Sequence, residues 1–280
     1  MNMKTRTFLL SLAAFATAAC AQTPEERIKA YEQEHEAMLT EYRTMMDSLS
    51  SDYAAAEAYY NDFVQKYIDF NLKAAKKNSD NEVAIQVLMN LRGLISDEQS
   101  QQIIYAMSPE MLENEQVIAL KEGLDARLAT AEGKMFVDFT VNSVVGQTRS
   151  IPPQPVYGEV KLSDYVGKGK YILLDFWSPW CGPCRREMPN IKAVYDKYKG
   201  EQFDVVSIAV WEREPVDVTI ETAAKLGMDW NQINNGQREP AQLYGVEGIP
   251  HLILFGPDGT ILKRGFHGAE IEETVSSYLK

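Results

Sequence analysis

The apolar residues of this chain change period near Gly133, and that switch divides what the two halves can fold into. From residue 23 to about 130 the only glycines are Gly93 and Gly123 and the only prolines Pro24 and Pro109, and apolar side chains recur at three- and four-residue steps. Such spacing predicts amphipathic helices, because residues three and four apart share one face. The first opens on Thr23-Pro24-Glu25-Glu26, an N-cap, a first-turn proline and a capping-box acid. It carries the stripe Tyr31, His35, Met38, Leu39, Tyr42 and Met45. Ser51-Asp52, Ser79-x-x-Glu82, Ser96-x-x-Gln99, Ser108-Pro109 and Asn114 are read as the starts of five more helices. No repeat of fixed period is present, which argues against a solenoid. His35 and the Tyr and Met stripes are read as core, with no nameable chemistry.

After Gly133 the pattern becomes one of short strands and turns. Residues 135–141 and 159–162 read as strands flanking a polar, proline-bearing loop over 142–158. Residues 171–177 (YILLDFW) form a near-continuous apolar run, as expected for a central strand covered on both faces. A helix over 181–199, a strand over 203–209 and a helix over 216–226 follow. Then come a strand over 251–255, a turn over 256–259, a strand over 260–265 and a helix over 269–279. This alternation predicts an α/β layer structure. The expected division is therefore a leader over 1–21, an all-α helical domain over 22–130 and an α/β domain over 131–280.

The leader is an address. Lys4 and Arg6 precede an apolar stretch and the small residues Thr17-Ala18-Ala19-Cys20-Ala21, the pattern of a secretory signal peptide. Two processing routes fit: a lipobox in which residues 1–19 are removed and Cys20 is lipidated to tether the protein to a membrane, or an A-x-A site cut before Gln22. Either route places the protein in the periplasm or cell envelope, where thiols meet oxidising conditions. The net charge of −12 argues against nucleic acid as a partner. No apolar run reaches the roughly 18 residues of a membrane span.

Of the three cysteines, Cys181 and Cys184 lie in Trp180-Cys181-Gly182-Pro183-Cys184, between the central strand and a helix. A spacing of three sets both sulfurs on one face of the first helical turn, within reach of a disulfide. The free amides and positive end of the helix favour a thiolate at Cys181. Pro183 costs little there, since its missing N–H has no helical partner. Cys184, one turn deeper, is expected to be the buried resolving thiol and Cys181 the exposed nucleophile. A zinc half-site lacks further ligands, so no metal is expected. A static bridge over so short a loop would stabilise little.

Residues 174–184 (LDFWSPWCGPC) closely resemble the active-site segment of thioredoxin. Arg185, Arg186, Glu187 and Pro189, the segment 162–168, Gly248-Ile249-Pro250 and the Gly256-Pro257-Asp258-Gly259 turn resemble the secreted TlpA/ResA-like branch of thiol–disulfide oxidoreductases. The resemblance covers about residues 133–280 and implies a thioredoxin-like fold, a central mixed sheet flanked by helices. It implies that Asp175 is the buried acid that moves the proton of the resolving thiol, and that Pro250 is a cis-proline facing the disulfide. It further implies substrate-binding roles for Trp180, Gly182, Pro183, Ile249 and Pro250, and no cofactor beyond the cysteine pair. His251 departs from the thioredoxin pattern and has two readings: a plain strand side chain, or a residue that reaches and tunes the Cys181 thiolate.

The resulting expectation is a thiol–disulfide oxidoreductase that reduces disulfides of envelope proteins and is itself re-reduced by a membrane electron donor. The alternatives are an oxidase or isomerase of the same fold, or a thioredoxin-like binding module without catalysis. A peroxidase lacks its Pro-x-x-x-Thr-x-x-Cys arrangement here.

Overall fold

The computed structural model describes residues 22–279; the leader, Cys20 included, lies outside the described residues. The chain forms two compact units. Among the described residues, one holds those up to Leu94 together with Ala106–Met111, the other Ile95–Tyr105 and those from Leu112 onward.

The first unit is built on α1 (Pro24–Ser48), α2 (Tyr53–Lys77) and α3 (Val83–Asn90). Its starts follow the sequence in two cases. Thr23 and Glu26 exchange hydrogen bonds of 2.9 and 3.2 Å as a capping box, and Asp52 accepts from the Ala55 amide at 3.1 Å. The third start differs from expectation. Helix α3 begins after Glu82, which makes no side-chain cap, and Asn81 Oδ1 accepts the Val83 amide at 3.1 Å instead. A run of turns over 78–82 uses Asn78 and Asn81 for local bonds, a role that short polar side chains fill readily. His35 is satisfied: its Nε2 lies 2.8 Å from Tyr67 Oη and 3.3 Å from Asn90 Nδ2. Tyr31 Oη donates to Asn71 Oδ1 at 2.9 Å, and burial pushes the phenol up to about 12.

The second unit begins earlier than the change of period. Helices α4 (Asp97–Tyr105) and α6 (Glu115–Ala129) belong to it, whereas the sequence reading placed the break at residue 130; α5 (Pro109–Leu112) is a single turn between them. The last turn of α6 explains why these helices join the second unit. Arg264 is half-buried and donates from Nη1 to Thr130 O (2.8 Å) and Thr130 Oγ1 (2.7 Å), and from Nη2 to Tyr244 O (2.7 Å). Arg127 donates to Asp97 and to Glu247.

The sheet of this unit runs β5 (Asn231–Ile233), β4 (Phe203–Ala209), β3 (Tyr171–Trp177), β6 (His251–Phe255), β7 (Ile261–Arg264) in space. Strands β3, β4 and β5 are parallel; β6 and β7 run antiparallel. One face packs Leu173, Trp177, Leu252 and Leu254 with Cys184, Met188 and Ile191 of α7 (Gly182–Tyr198), Ala223 of α8 (Val216–Lys225) and Ile271 of α10 (Glu270–Tyr278). The other packs Leu174, Phe176, Ile253 and Phe255 with Tyr244 and with Ala241 of α9 (Glu239–Leu243). Both faces are covered, which is why β3 reads as an unbroken apolar run.

The stretch before β3 differs from expectation. Residues 142–158 are not one loop: β1 (Thr140–Gln147) and β2 (Pro155–Lys161) form an antiparallel hairpin with an irregularity between Val144 and Gly146. The turn is only 148–154, closed by Thr148 N–H to Gln154 O at 2.8 Å. Val144, Val145, Val156 and Tyr157 carried the strand signal, but the glycines and prolines around them masked it. Residues 135–139 lie outside the named strands, apart from a bridge between Met135 and Thr260.

Gly245 shows how tightly α6 is seated. It has φ +57°, and a Cβ there would lie 2.4 Å from Arg127 Cγ and 2.8 Å from the Gly123 carbonyl oxygen. Gly245→Ala is expected to lower the unfolding free energy by about 3 kcal/mol, from backbone strain and overpacking together. Gly133→Ala is expected to cost only about 1 kcal/mol, because that position also has positive φ but nothing within 4 Å of an added Cβ. Urea unfolding midpoints of the two variants measure the difference.

Candidate active site

Strand β3 delivers the chain to the site. After the buried Trp177, residues 178–180 turn, and the Cys181 amide bonds Ser178 O at 3.0 Å. Cys181 then serves as the N-cap of α7, its Sγ accepting the Cys184 amide at 3.1 Å. Gly182 and Pro183 occupy the first turn and are exposed. Cys181 and Cys184 are joined as a disulfide, with Cα atoms 5.3 Å apart.

The expected contrast between an exposed and a hidden sulfur is small in this closed ring. Cys181 is 3% exposed and Cys184 0%. The ring closes against the Ile249–Pro250 segment, where the Ile249 carbonyl oxygen lies 3.6 Å from Cys181 Sγ. The Ile249–Pro250 peptide is cis, and both residues are half-buried. Trp180 flanks the ring on its exposed side, 38% accessible, with its indole N–H donated to Trp211 O at 2.9 Å.

Asp175 lies fully buried on β3. Side chains alternate along a strand, so Asp175 shares its face with Leu173 and Trp177, the face that packs on Cys184. Ser207 Oγ donates to Asp175 Oδ2 at 2.9 Å, and Trp230 Nε1 donates to Ser207 Oγ at 2.8 Å. Oδ1 has no hydrogen-bond partner. Burial pushes this carboxyl up to about 7; the Ser207 bond pulls it down, and the charge of Glu187 adds to the rise. A group that titrates there can take up and return a proton near neutrality.

The residues expected from the sequence do not all converge. Cys181, Cys184, Trp180, Gly182, Pro183, Ile249 and Pro250 meet around the ring, with Asp175 on the same face of the sheet. His251 does not join them. It alternates with Leu252 onto the opposite face, edge-on to Phe176, with Nε2 3.4 Å from Arg264 Nη2. Burial and then the charges of Arg264 and His267 push its pKa down to about 4. Of its two readings the plain strand side chain holds, because the pleat turns it away from Cys181. Sequence reasoning passed over Ser207 and Trp230; a lone hydroxyl in the apolar run 203–209 was the available signal for the first, and nothing local pointed to the second. It also passed over Arg213, whose guanidinium stacks on the Trp180 ring at 3.8 Å. Among the described residues no group of three or more His, Cys, Asp or Glu could hold a metal ion, and no helix is long and apolar enough to cross a membrane.

The sign of the Asp175 effect on stability follows from its shift. The folded state holds the proton up to about pH 7, the unfolded chain only to its ordinary 3.8, so stability falls as pH rises between these values. Asp175→Asn abolishes this titration. The oxidised variant is expected to gain roughly 4 kcal/mol over wild type between pH 4 and pH 8, an order-of-magnitude figure from the size of the shift. Denaturant unfolding at the two pH values checks it; an equal gap between the proteins at both would refute the buried, shifted carboxyl.

Comparison with known proteins agrees with this geometry. Residues 133–264 match the AhpC/TSA family. The chain is 28% identical over 123 residues to a thiol-disulfide oxidoreductase ResA of Bacillus thuringiensis subsp. konkukian, covering 44% of this chain and 68% of that protein. It is 27% identical over 155 residues to the ResA of Geobacillus thermodenitrificans, covering 55% and 79%. Among solved structures, the thioredoxin domain of a thiol-disulfide oxidoreductase from Bacteroides vulgatus is 25% identical, with a TM-score of 0.44, covering 54% of this chain and 99% of that one. Residues 133–264 thus resemble the AhpC/TSA family, and the C-terminal half has a thioredoxin-like fold.

Proposed function

We propose that this protein is a thiol–disulfide oxidoreductase that reduces disulfides in proteins of the cell envelope. The observation that carries the reading is the Cys181–Cys184 ring at the N-terminus of α7, with an unpartnered carboxyl oxygen of Asp175 on the same buried face. In the reduced protein the helix amides favour the Cys181 thiolate. That thiolate attacks one sulfur of a client disulfide; the S–S bond breaks, a mixed disulfide forms and one client thiolate leaves to take a proton. Asp175 accepts the Cys184 proton, and the Cys184 thiolate attacks Cys181 Sγ. The mixed disulfide breaks, the ring closes and the second client thiol is released. Two electrons have passed to the client, leaving the pair oxidised as it stands in the structure. Ile249 supplies backbone N–H and C=O groups for an extended client strand, which is strand addition at short range.

The reductive direction is supported by the Gly182-Pro183 pair between the cysteines and by Asp175, a combination shared with reducing thioredoxin near −270 mV rather than with oxidants near about −120 mV. Turnover then requires a membrane electron donor to reopen the ring. The basic, apolar and small-residue order of residues 4–21 supports export to the envelope, with Cys20 as the site of a lipid tether if the lipobox is used.

Cys184→Ala is expected to trap covalent client adducts through Cys181, seen as bands on non-reducing gels that dithiothreitol removes. Absence of adducts, together with no insulin reduction by wild type, would overturn the reading. Titration of the pair against glutathione tests direction: a potential far above about −200 mV assigns oxidase or isomerase in place of reductase.

A further inference from the structure

Beside the disulfide a cleft of about 450 Å³ opens between the loop after β4 and the segment before α9. Trp180 and Trp211 form its apolar surface, and Arg213 and Arg238 line it. Its shape is held by several contacts. Trp180 Nε1 bonds Trp211 O at 2.9 Å, the Trp211 amide bonds Gln237 O at 2.9 Å, and the Arg213 guanidinium lies 3.8 Å from the Trp180 ring centre. Trp211 and Gln237 take φ of 52° and 55°, a backbone region that side chains other than glycine disfavour and that persists where surroundings impose it.

The cleft is lined by two arginines and two glutamates. Its two acids are engaged by other groups: Glu212 Oε1 accepts from Thr219 Oγ1 at 2.7 Å, and Glu247 Oε1 from Arg127 Nη1 at 2.7 Å. Arg213 and Arg238 are exposed and form no ion pair among the described residues. The same holds for Arg185 and Arg186, on the first turn of α7 next to the ring. In a chain of net charge −12, four arginines thus stand without a salt bridge near the disulfide. A guanidinium stacked on an indole keeps its N–H edge available, and that edge matches a carboxylate in a planar fork.

We propose that the Trp180–Trp211–Arg213–Arg238 cleft is a client-recognition subsite that takes an aspartate or glutamate side chain close in sequence to the client cysteine. The inference rests on the exchange reaction proposed above and names the chemistry of its client. A strand laid along Ile249 brings its neighbouring side chains past Trp180; an acidic one sets its stem on the indoles and its carboxylate against Arg213 and Arg238.

The test uses three peptide disulfides that differ only in the residues flanking cysteine: two Asp, two Asn or two Lys. Each oxidises pre-reduced full-length protein in a single turnover followed by Trp fluorescence. Wild type is expected to react about fivefold faster with the Asp peptide than with the Asn peptide, and slower still with the Lys peptide, the size expected of one or two solvent-exposed charge pairs. The Asp/Asn ratio should fall towards one in Arg213→Gln/Arg238→Gln and in about 0.5 M NaCl, where exposed charges are screened. It should persist in Lys197→Gln, a charge-matched change in the last turn of α7. Equal rates for the three peptides in wild type, or an unchanged ratio in the double variant, would overturn the subsite. If no peptide reacts, the exchange reaction fails, and the subsite is read separately by titrating the Asp peptide into Cys181→Ser/Cys184→Ser protein. Saturable quenching that Arg213→Gln/Arg238→Gln weakens upholds it, and no binding overturns it.

Discussion

A carboxyl group held in an apolar sheet is the constraint on which the rest of this site depends. Asp175 is fully buried, bonded through one oxygen to Ser207 and through the other to nothing in the closed ring. Ionised, it lacks water; protonated, it is tolerated, so its neighbours decide where it titrates. Those neighbours come from two strands, the segment before a third and one helix: Ser207 on β4, Leu252 across the ladder on β6, Trp230 just before β5, and Cys184 and Glu187 on α7. The fold brings an acid and a thiol to one dry face, where proton transfer does not compete with solvent.

The elements that present the sulfurs are simple by comparison. A helix that starts on a cysteine gives that sulfur the amide of the residue three positions on, here at 3.1 Å, before any partner arrives. Ile249 and Pro250, just before the neighbouring strand β6, face the same sulfur. The arginines beside it lie outside this core, on exposed side chains that contribute little to stability.

Much of this was legible in the residues. The CGPC segment, the central strand and Asp175 are local features, and the alternation of strand and helix after Gly133 foretells a covered sheet. What was not legible depends on distance or on masking. The hairpin β1–β2 hides behind its own glycines and prolines, and Asn81 rather than Ser79 or Glu82 bonds the start of α3 because a run of turns intervenes. His251 follows Pro250 directly, yet adjacency alone could not choose between its two readings, since a pleated strand sends neighbours to opposite faces. Trp230 reaches Ser207 across 23 residues, and Arg213 reaches Trp180 across 33; no local pattern encodes either.

The half-buried guanidinium of Arg264 has a bearing on where this domain can be cut. Two of its acceptors are atoms of Thr130, and the family match itself begins only at 133. A fragment trimmed to that match would leave a desolvated cation short of its oxygens and take away the helix that Gly245 nestles against. The smallest piece that keeps those bonds must also carry α6, and with it the Arg127–Asp97 pair back to α4. Evolution that recombines this module with other leaders would therefore inherit those two helices with the sheet, as one transferable block.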